Sequence, residues 1–97
     1  MSEIALVVSF KATEGRKQEL IEGLKGHAQR TLDNEEGCIR FDVLIPRSGN
    51  ADIMLYELYR DQAALDEHAS SDRLKAWREK STPLVAERSI TVTEVQN

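Results

Sequence analysis

Periodicity along this 97-residue chain predicts an α+β fold, one antiparallel sheet of four strands with helices on one face. Two observations predict it. Segments of period 2 and period 3.6 alternate in the order β-α-β-β-α-β. The length suits a single domain, residues 1–97, with room for little else.

The first strand is Ile4 to Phe10, where Ile4, Leu6, Val8 and Phe10 alternate with Ala5, Val7 and Ser9. Thr13-Glu14-Gly15-Arg16 ends it, and Thr13 is the expected cap of the next helix. From Arg16 to Asp33 the apolar residues recur at helical steps, with Leu20, Leu24, His27, Ala28, Thr31 and Leu32 on one stripe. Gly23 and Gly26 each cost roughly 1 kcal/mol against alanine in a helix, which predicts a close neighbour for this face. The helix should stop near Asn34, before Gly37.

Cys38 to Ile45 reads as the second strand, with Ile39, Phe41, Val43 and Ile45 on one side and Arg40, Asp42 and Leu44 on the other. Pro46 to Asn50 is turn chemistry. Ile53 to Arg60 is the third strand and forms a hairpin with the second. Asp61 caps a helix from Gln62 to Ala69, Ser70-Ser71-Asp72 restarts it, and a further helix carries Leu74, Trp77 and Leu84 on one stripe, limited by Pro83. Ser89 to Val95 is the last strand. This order is the split βαβ, or ferredoxin-like, arrangement.

Helices in that arrangement cover one sheet face. Yet Ala5 and Val7 oppose Leu6 and Val8, and Met54, Tyr56 and Leu58 oppose Ile53 and Leu55. A sheet with one wet face should alternate apolar with polar. The second face therefore needs a cover, and a symmetric pair of chains supplies it, so a homodimer is expected.

Composition excludes several classes. The net charge is -4 with scattered Lys and Arg, which disfavours nucleic-acid binding. No apolar run approaches the roughly 20 residues that cross a bilayer. The N-terminus lacks the basic start of a signal peptide, and the lone Cys38 cannot form an intramolecular disulfide, so a cytoplasmic location is expected. No metal-ligand spacing, phosphate-binding loop or dinucleotide fingerprint is present, and no cofactor is expected.

The run Glu36-Gly37-Cys38-Ile39-Arg40-Phe41-Asp42-Val43-Leu44 resembles the E-x-G-C-x-x-[FY]-x-[VL] motif that opens a strand in the antibiotic biosynthesis monooxygenase (ABM) family. Tyr56 to Leu65, followed by His68, resembles that family's E-x-[YW]-x-D-x-x-A-[FL]-x-x-H segment. The resemblance spans nearly the whole chain. It implies a dimeric α+β barrel whose two sheets face one another. It also implies one of several chemistries: cofactor-independent quinol or anthrone oxygenation, haem degradation, or isomerisation of a phosphorylated small molecule. The haem-degrading branch uses an asparagine on its first strand, and Ile4 to Phe10 contains none.

Several further positions draw attention. His27, on the apolar stripe of the first helix, is a buried core residue or a proton shuttle. His68 lies three residues after Leu65, faces inward, and matches the histidine of the family segment. Glu57 interrupts the apolar row Ile53, Leu55 and Tyr59. A buried carboxylate needs a partner or a raised pKa, so Glu57 is a general base or substrate anchor, or else pairs with an arginine such as Arg40. Trp77 is core or pocket wall. One of Tyr56 and Tyr59 can line a helix-side pocket, and Phe41 can join Tyr59 there; Cys38 reads as a small buried residue.

The expected chemistry is ABM-like oxygenation of a small quinol or polyphenol. His68 or Glu57 removes a hydroxyl proton, and the anion reacts with dioxygen in a dry pocket walled by Phe41, Tyr59 and Trp77. Two rivals use the same residues: proton-transfer isomerisation of a small carbonyl compound, and binding of a small ligand without catalysis.

Overall fold

A computed structural model describes residues 2–97. Its elements are β1 (Ile4–Ala12), α1 (Lys17–Asn34), β2 (Cys38–Leu44), β3 (Ile53–Tyr59), α2 (Gln62–Ala69), α3 (Asp72–Ser81), a 3-10 turn (Thr82–Leu84) and β4 (Val85–Glu94). The strands form one antiparallel sheet in the order β2-β3-β1-β4. Each βαβ half leaves a gap that a strand of the other half fills, which is the ferredoxin-like α+β arrangement expected.

The core lies between the sheet and the helices. On α1 the steps of three and four residues bury Leu20, Leu24, His27, Ala28 and Thr31. Leu20 and Leu24 have no exposed surface, and each such burial stabilises by roughly 1.5–3 kcal/mol. From β3 come Ile53, Leu55, Glu57 and Tyr59, strictly alternating with half-buried Met54, Tyr56 and Leu58. Glycine at 23 has the reason anticipated for it. A Cβ there would lie 2.6 Å from Cη2 of Trp77, so α3 packs directly on the α1 backbone. Gly37 does the same at the start of β2, where a Cβ would collide with Cβ of Ala64 on α2. Gly26 has only its own helix's Arg30 nearby.

Four local expectations are corrected. Thr13 does not cap α1: its hydroxyl donates to the carbonyl of Pro83, and Arg16 occupies the cap position without a side-chain bond. Leu32 is exposed rather than part of the buried stripe. Ile39 does not share a face with Phe41, because Cys38 pairs with Tyr59 and Arg40 with Leu58, leaving Ile39 as the extra residue of a β-bulge. The bulge turns Ile39 outward and keeps both Cys38 and Phe41 buried toward the helices. Finally, β4 begins at Val85, four residues before the expected Ser89, since Pro83 closes a 3-10 turn and the chain enters the sheet directly after it.

The other caps are as the residues suggest. The Asp61 carboxylate accepts from the Ala64 amide at 2.9 Å, and the Ser71 hydroxyl accepts from the Leu74 amide at 3.2 Å. These two caps fix α2 and α3 as separate helices with their inner faces toward β1 and β3. Among the described residues no helix is long and apolar enough to cross a membrane.

Candidate active site

Between α2, α3 and the sheet lies a cavity of about 90 Å³. Its sheet side is apolar, made by Leu6, Val8 and Phe10 of β1 and Leu55 of β3. On α3, Leu74, Trp77, Arg78 and Ser81 line it, the i, i+3, i+4, i+7 stripe of one helix face. The structure brings His27, Phe41, Glu57, His68 and Trp77 to this one cavity.

Glu57 sits on the second-innermost strand, facing Leu6 of β1 and Phe41 of β2 in the ladder. It is 4% exposed, so its ionised form is poorly solvated. Arg40 does not neutralise it: Arg40 points to the other sheet face and pairs with Asp42 at 2.6 Å. The Tyr59 hydroxyl donates to Glu57 Oε1 at 2.6 Å instead. Burial pushes the Glu57 carboxyl above the usual carboxylate range, and the Tyr59 bond holds that rise back. Tyr59 itself is fully buried and lies behind the cavity rather than on its wall. The expectation that Tyr59 touches ligand is thus corrected: its contact is with Glu57, two residues away on the same strand face, and its hydroxyl stays protonated because burial and the neighbouring carboxyl raise its pKa.

His68 is held by Glu35 and faces Glu57. Its Nδ1 lies 3.0 and 3.2 Å from the two oxygens of Glu35, and its Nε2 lies 3.7 Å from Glu57 Oε1. Because Glu35 also accepts from the Arg73 guanidinium, its contact with His68 assigns the imidazole proton to Nδ1 and turns Nε2 toward Glu57. The Arg73 guanidinium donates to the same Glu35 carboxylate at 3.2 Å. Hydrogen bonds thus join Arg73, Glu35 and His68 on one side and Tyr59 and Glu57 on the other, and the two groups face each other across 3.7 Å to make a polar line through an apolar interior.

Glu35 was missed by sequence reading. It is the C-cap of α1, where its backbone amide donates to Thr31 and its carbonyl accepts from Cys38. A carboxylate is disfavoured at a helix C-terminus by the peptide dipoles, and this one is 3% exposed, so it rests on Arg73 and His68. The signal was in the chain: the glutamate of the E-x-G-C pattern, two residues before Gly37, falls on Glu35 and not on Glu36.

His27 is 3% exposed and its Nδ1 has no hydrogen-bond partner among the described residues. Its ring stacks on Trp77 at 5.5 Å and 14°, and meets the edge of Phe41 at 5.6 Å. Burial, and then the proximity of His68, lower its pKa to about 4, so the ring is neutral at neutral pH. A neutral, buried imidazole with an unpartnered nitrogen at a cavity wall has one hydrogen bond left to make. Cys38 is no nucleophile: burial first, and the Glu57 and Glu35 carboxylates next, push its thiol up to about 11. Among the described residues no group of three or more His, Cys, Asp and Glu is arranged to hold a metal ion.

Comparison with known proteins follows the same line. The sequence model of the family described as antibiotic biosynthesis monooxygenase matches residues 3–80. No curated relative matches the chain. Among solved structures, protein SO0527 from Shewanella oneidensis is 28% identical, with a TM-score of 0.87 over 97% of this chain and 91% of that one. A Caulobacter crescentus protein provisionally described as an antibiotic biosynthesis monooxygenase superposes with a TM-score of 0.91 at 22% identity, over 99% of this chain and 92% of that one. A dimeric Bacteroides fragilis protein of unknown function and ferredoxin-like fold has a TM-score of 0.82 at 13% identity, over 98% of each chain.

Proposed function

Because the chain belongs to the antibiotic biosynthesis monooxygenase family, we propose that its cavity oxygenates a small quinol without a cofactor. The observation that carries this reading is His68, fixed by Glu35 through Nδ1 and presenting Nε2 beside Glu57 in an apolar chamber. That nitrogen takes the proton of a substrate hydroxyl, and the Glu35 carboxylate stabilises the imidazolium that results. Glu57, protonated more readily than an ordinary carboxyl, donates to the oxygen anion or returns a proton later in the cycle.

The redox balance needs only dioxygen. The deprotonated quinol is nucleophilic at the ring carbon beside its oxygen, and a carbon–oxygen bond to dioxygen forms there. Protonation gives a hydroperoxide. Loss of the hydrogen on that carbon with cleavage of the O–O bond releases water and leaves a new carbonyl. The quinol gives up four electrons, one oxygen atom stays in the hydroxyquinone product, and the other leaves as water. Apolar walls from Leu6, Val8, Phe10 and Leu55 keep water from the anion while it reacts.

The working unit in this reading is a homodimer. Val7, Met54, Tyr56 and Leu58 lie on the sheet face that no helix covers, half-buried in the single chain. A second copy on that face would complete their burial.

The test is dioxygen uptake with substituted hydroquinones, with and without a metal chelator. Uptake equal to quinol consumed, unchanged by chelator and lost in His68→Ala, is the expected result. Turnover in the absence of dioxygen would replace this reading with proton-transfer isomerisation. Binding without turnover would leave a ligand-binding protein.

A further inference from the structure

Two guanidiniums at the cavity make no hydrogen bond or ion pair within the polar line just described, although the Arg78 charge is felt by Glu57. Arg78 occupies the inward stripe of α3 between Leu74 and Ser81, and Arg88 is on β4 opposite Phe10, on the same strand face as Ile90. Both line the cavity although both are exposed, so they stand at its mouth. Among the described residues neither pairs with a carboxylate, while Arg16, Arg40, Arg60 and Arg73 each do. Two like charges at core-facing positions of adjoining elements repel: partial burial first, and Arg88 next, lower the proton affinity of Arg78, against a smaller opposing pull from Glu57. The chain as a whole carries -4, so this is a local concentration of positive charge against the overall sign.

Size sets where a ligand's polar end falls. A cavity of roughly 150 Å³ accepts a benzene ring. The 90 Å³ here is less than that, so a ring seated against Trp77 extends outward toward Arg78 and Arg88. Its inner hydroxyl then meets the unpartnered His27 and the His68–Glu57 pair. Its outer substituent meets two planar donor forks suited to carboxylate or phosphate.

We propose that the cavity is selective for a single-ring phenol bearing an anionic substituent, carboxylate or phosphate, held at its mouth by Arg78 and Arg88. The proposal rests on the quinol reading for the ring and its inner hydroxyl, and adds the anion.

Trp77, the sole tryptophan, reports binding by its fluorescence. The probes are 2,5-dihydroxybenzoate, its neutral methyl ester and 4-hydroxyphenyl phosphate. The acid or the phosphate should bind at least about tenfold more tightly than the ester, with an affinity that falls as salt rises. Arg78→Gln and Arg88→Gln should each bring that ratio toward one while circular dichroism stays native. Preference for the phosphate over the acid assigns the anion as phosphate, and the reverse as carboxylate. Equal binding of acid and ester, or failure of all three to quench Trp77 at millimolar concentration, overturns the proposal. Anion preference without oxygen uptake sinks the oxygenase reading and leaves this one. Oxygen uptake with no anion preference does the opposite.

Discussion

At the scale of single residues, the site is defined by carboxylates whose surroundings differ. Glu35 accepts from the Arg73 guanidinium and lies against His68 Nδ1, whereas Glu57 accepts from the neutral Tyr59 hydroxyl and has His68 Nε2 and the Arg78 charge farther off. In the proposed reaction, two acids on one histidine divide the labour of orienting it and of exchanging protons with ligand. Glu35 is a positioning residue in this scheme, since it does not reach the cavity. Glu35→Gln keeps the shape but removes the charge that stabilises the imidazolium. Steady-state oxygen uptake should show kcat down by at least about tenfold with KM little changed, and Glu35→Asp should recover part of the loss. A fall confined to KM would contradict that role.

His27 supplies a second residue-level expectation, in stability. Its folded pKa of about 4 lies below the ordinary 6.5, so the unfolded chain binds the extra proton between those values. Stability from this group is present above pH 6.5 and is lost as pH falls toward 4. Glu57 acts in the opposite sense, because its raised pKa favours the folded state on the acid side and that advantage fades as pH rises through the raised value. Urea unfolding of wild type and His27→Phe at pH 7 and pH 5 separates the two. Wild type should lose on the order of 1 kcal/mol more than the variant on acidification, allowing for partial solvent screening. Parallel losses would show that His27 titrates alike in the folded and unfolded chains.

At the scale of elements, the decisive contact is α1 on α3. Trp77 covers Gly23 so closely that no Cβ fits, and the same ring stacks on His27 one helical turn further along. The glycine thus sets the position of the cavity wall. Gly23→Ala gains helix propensity of about 1 kcal/mol but forces the indole to move, an overpacking cost of roughly 1–3 kcal/mol. The expected outcome is a lower urea midpoint together with a shifted Trp77 emission maximum. An unshifted maximum in a stabler protein would mean that the ring has room to yield. On β2, the bulge at Ile39 has comparable weight: without the extra residue, Phe41 and Cys38 could not both face the helices.

At the scale of the whole molecule, the expected homodimer turns on the sheet face that no helix covers. Leu58 lies in its middle, beside Ala5 on β1 and Arg40 on β2. Sedimentation of the wild type at micromolar concentration should give a dimer, and Leu58→Asp should shift it to monomer by placing a charge in the seam. A monomeric wild type would remove the reason for an apolar second face. The helix side of β4 is also thinly covered, with Ile90 41% and Val92 59% exposed, so the cavity opens at that edge where the two mouth arginines stand.

The sequence by itself determined the order of elements, the antiparallel sheet and the inward faces of its strands, because period 2 and period 3.6 are local properties that burial enforces. It also marked Glu57, His68, His27 and Trp77, since each breaks or crowds an apolar row. Only the tertiary structure decided the partners. Glu35 and His68 are 33 residues apart, and Arg73 reaches Glu35 across 38. Tyr59 turned from expected wall to buried donor, and Arg78 and Arg88 came to one mouth from a helix and an edge strand. Periodicity states which way a side chain faces; what it meets there depends on how whole elements cross, and that is set by packing across the core rather than by neighbours in the chain.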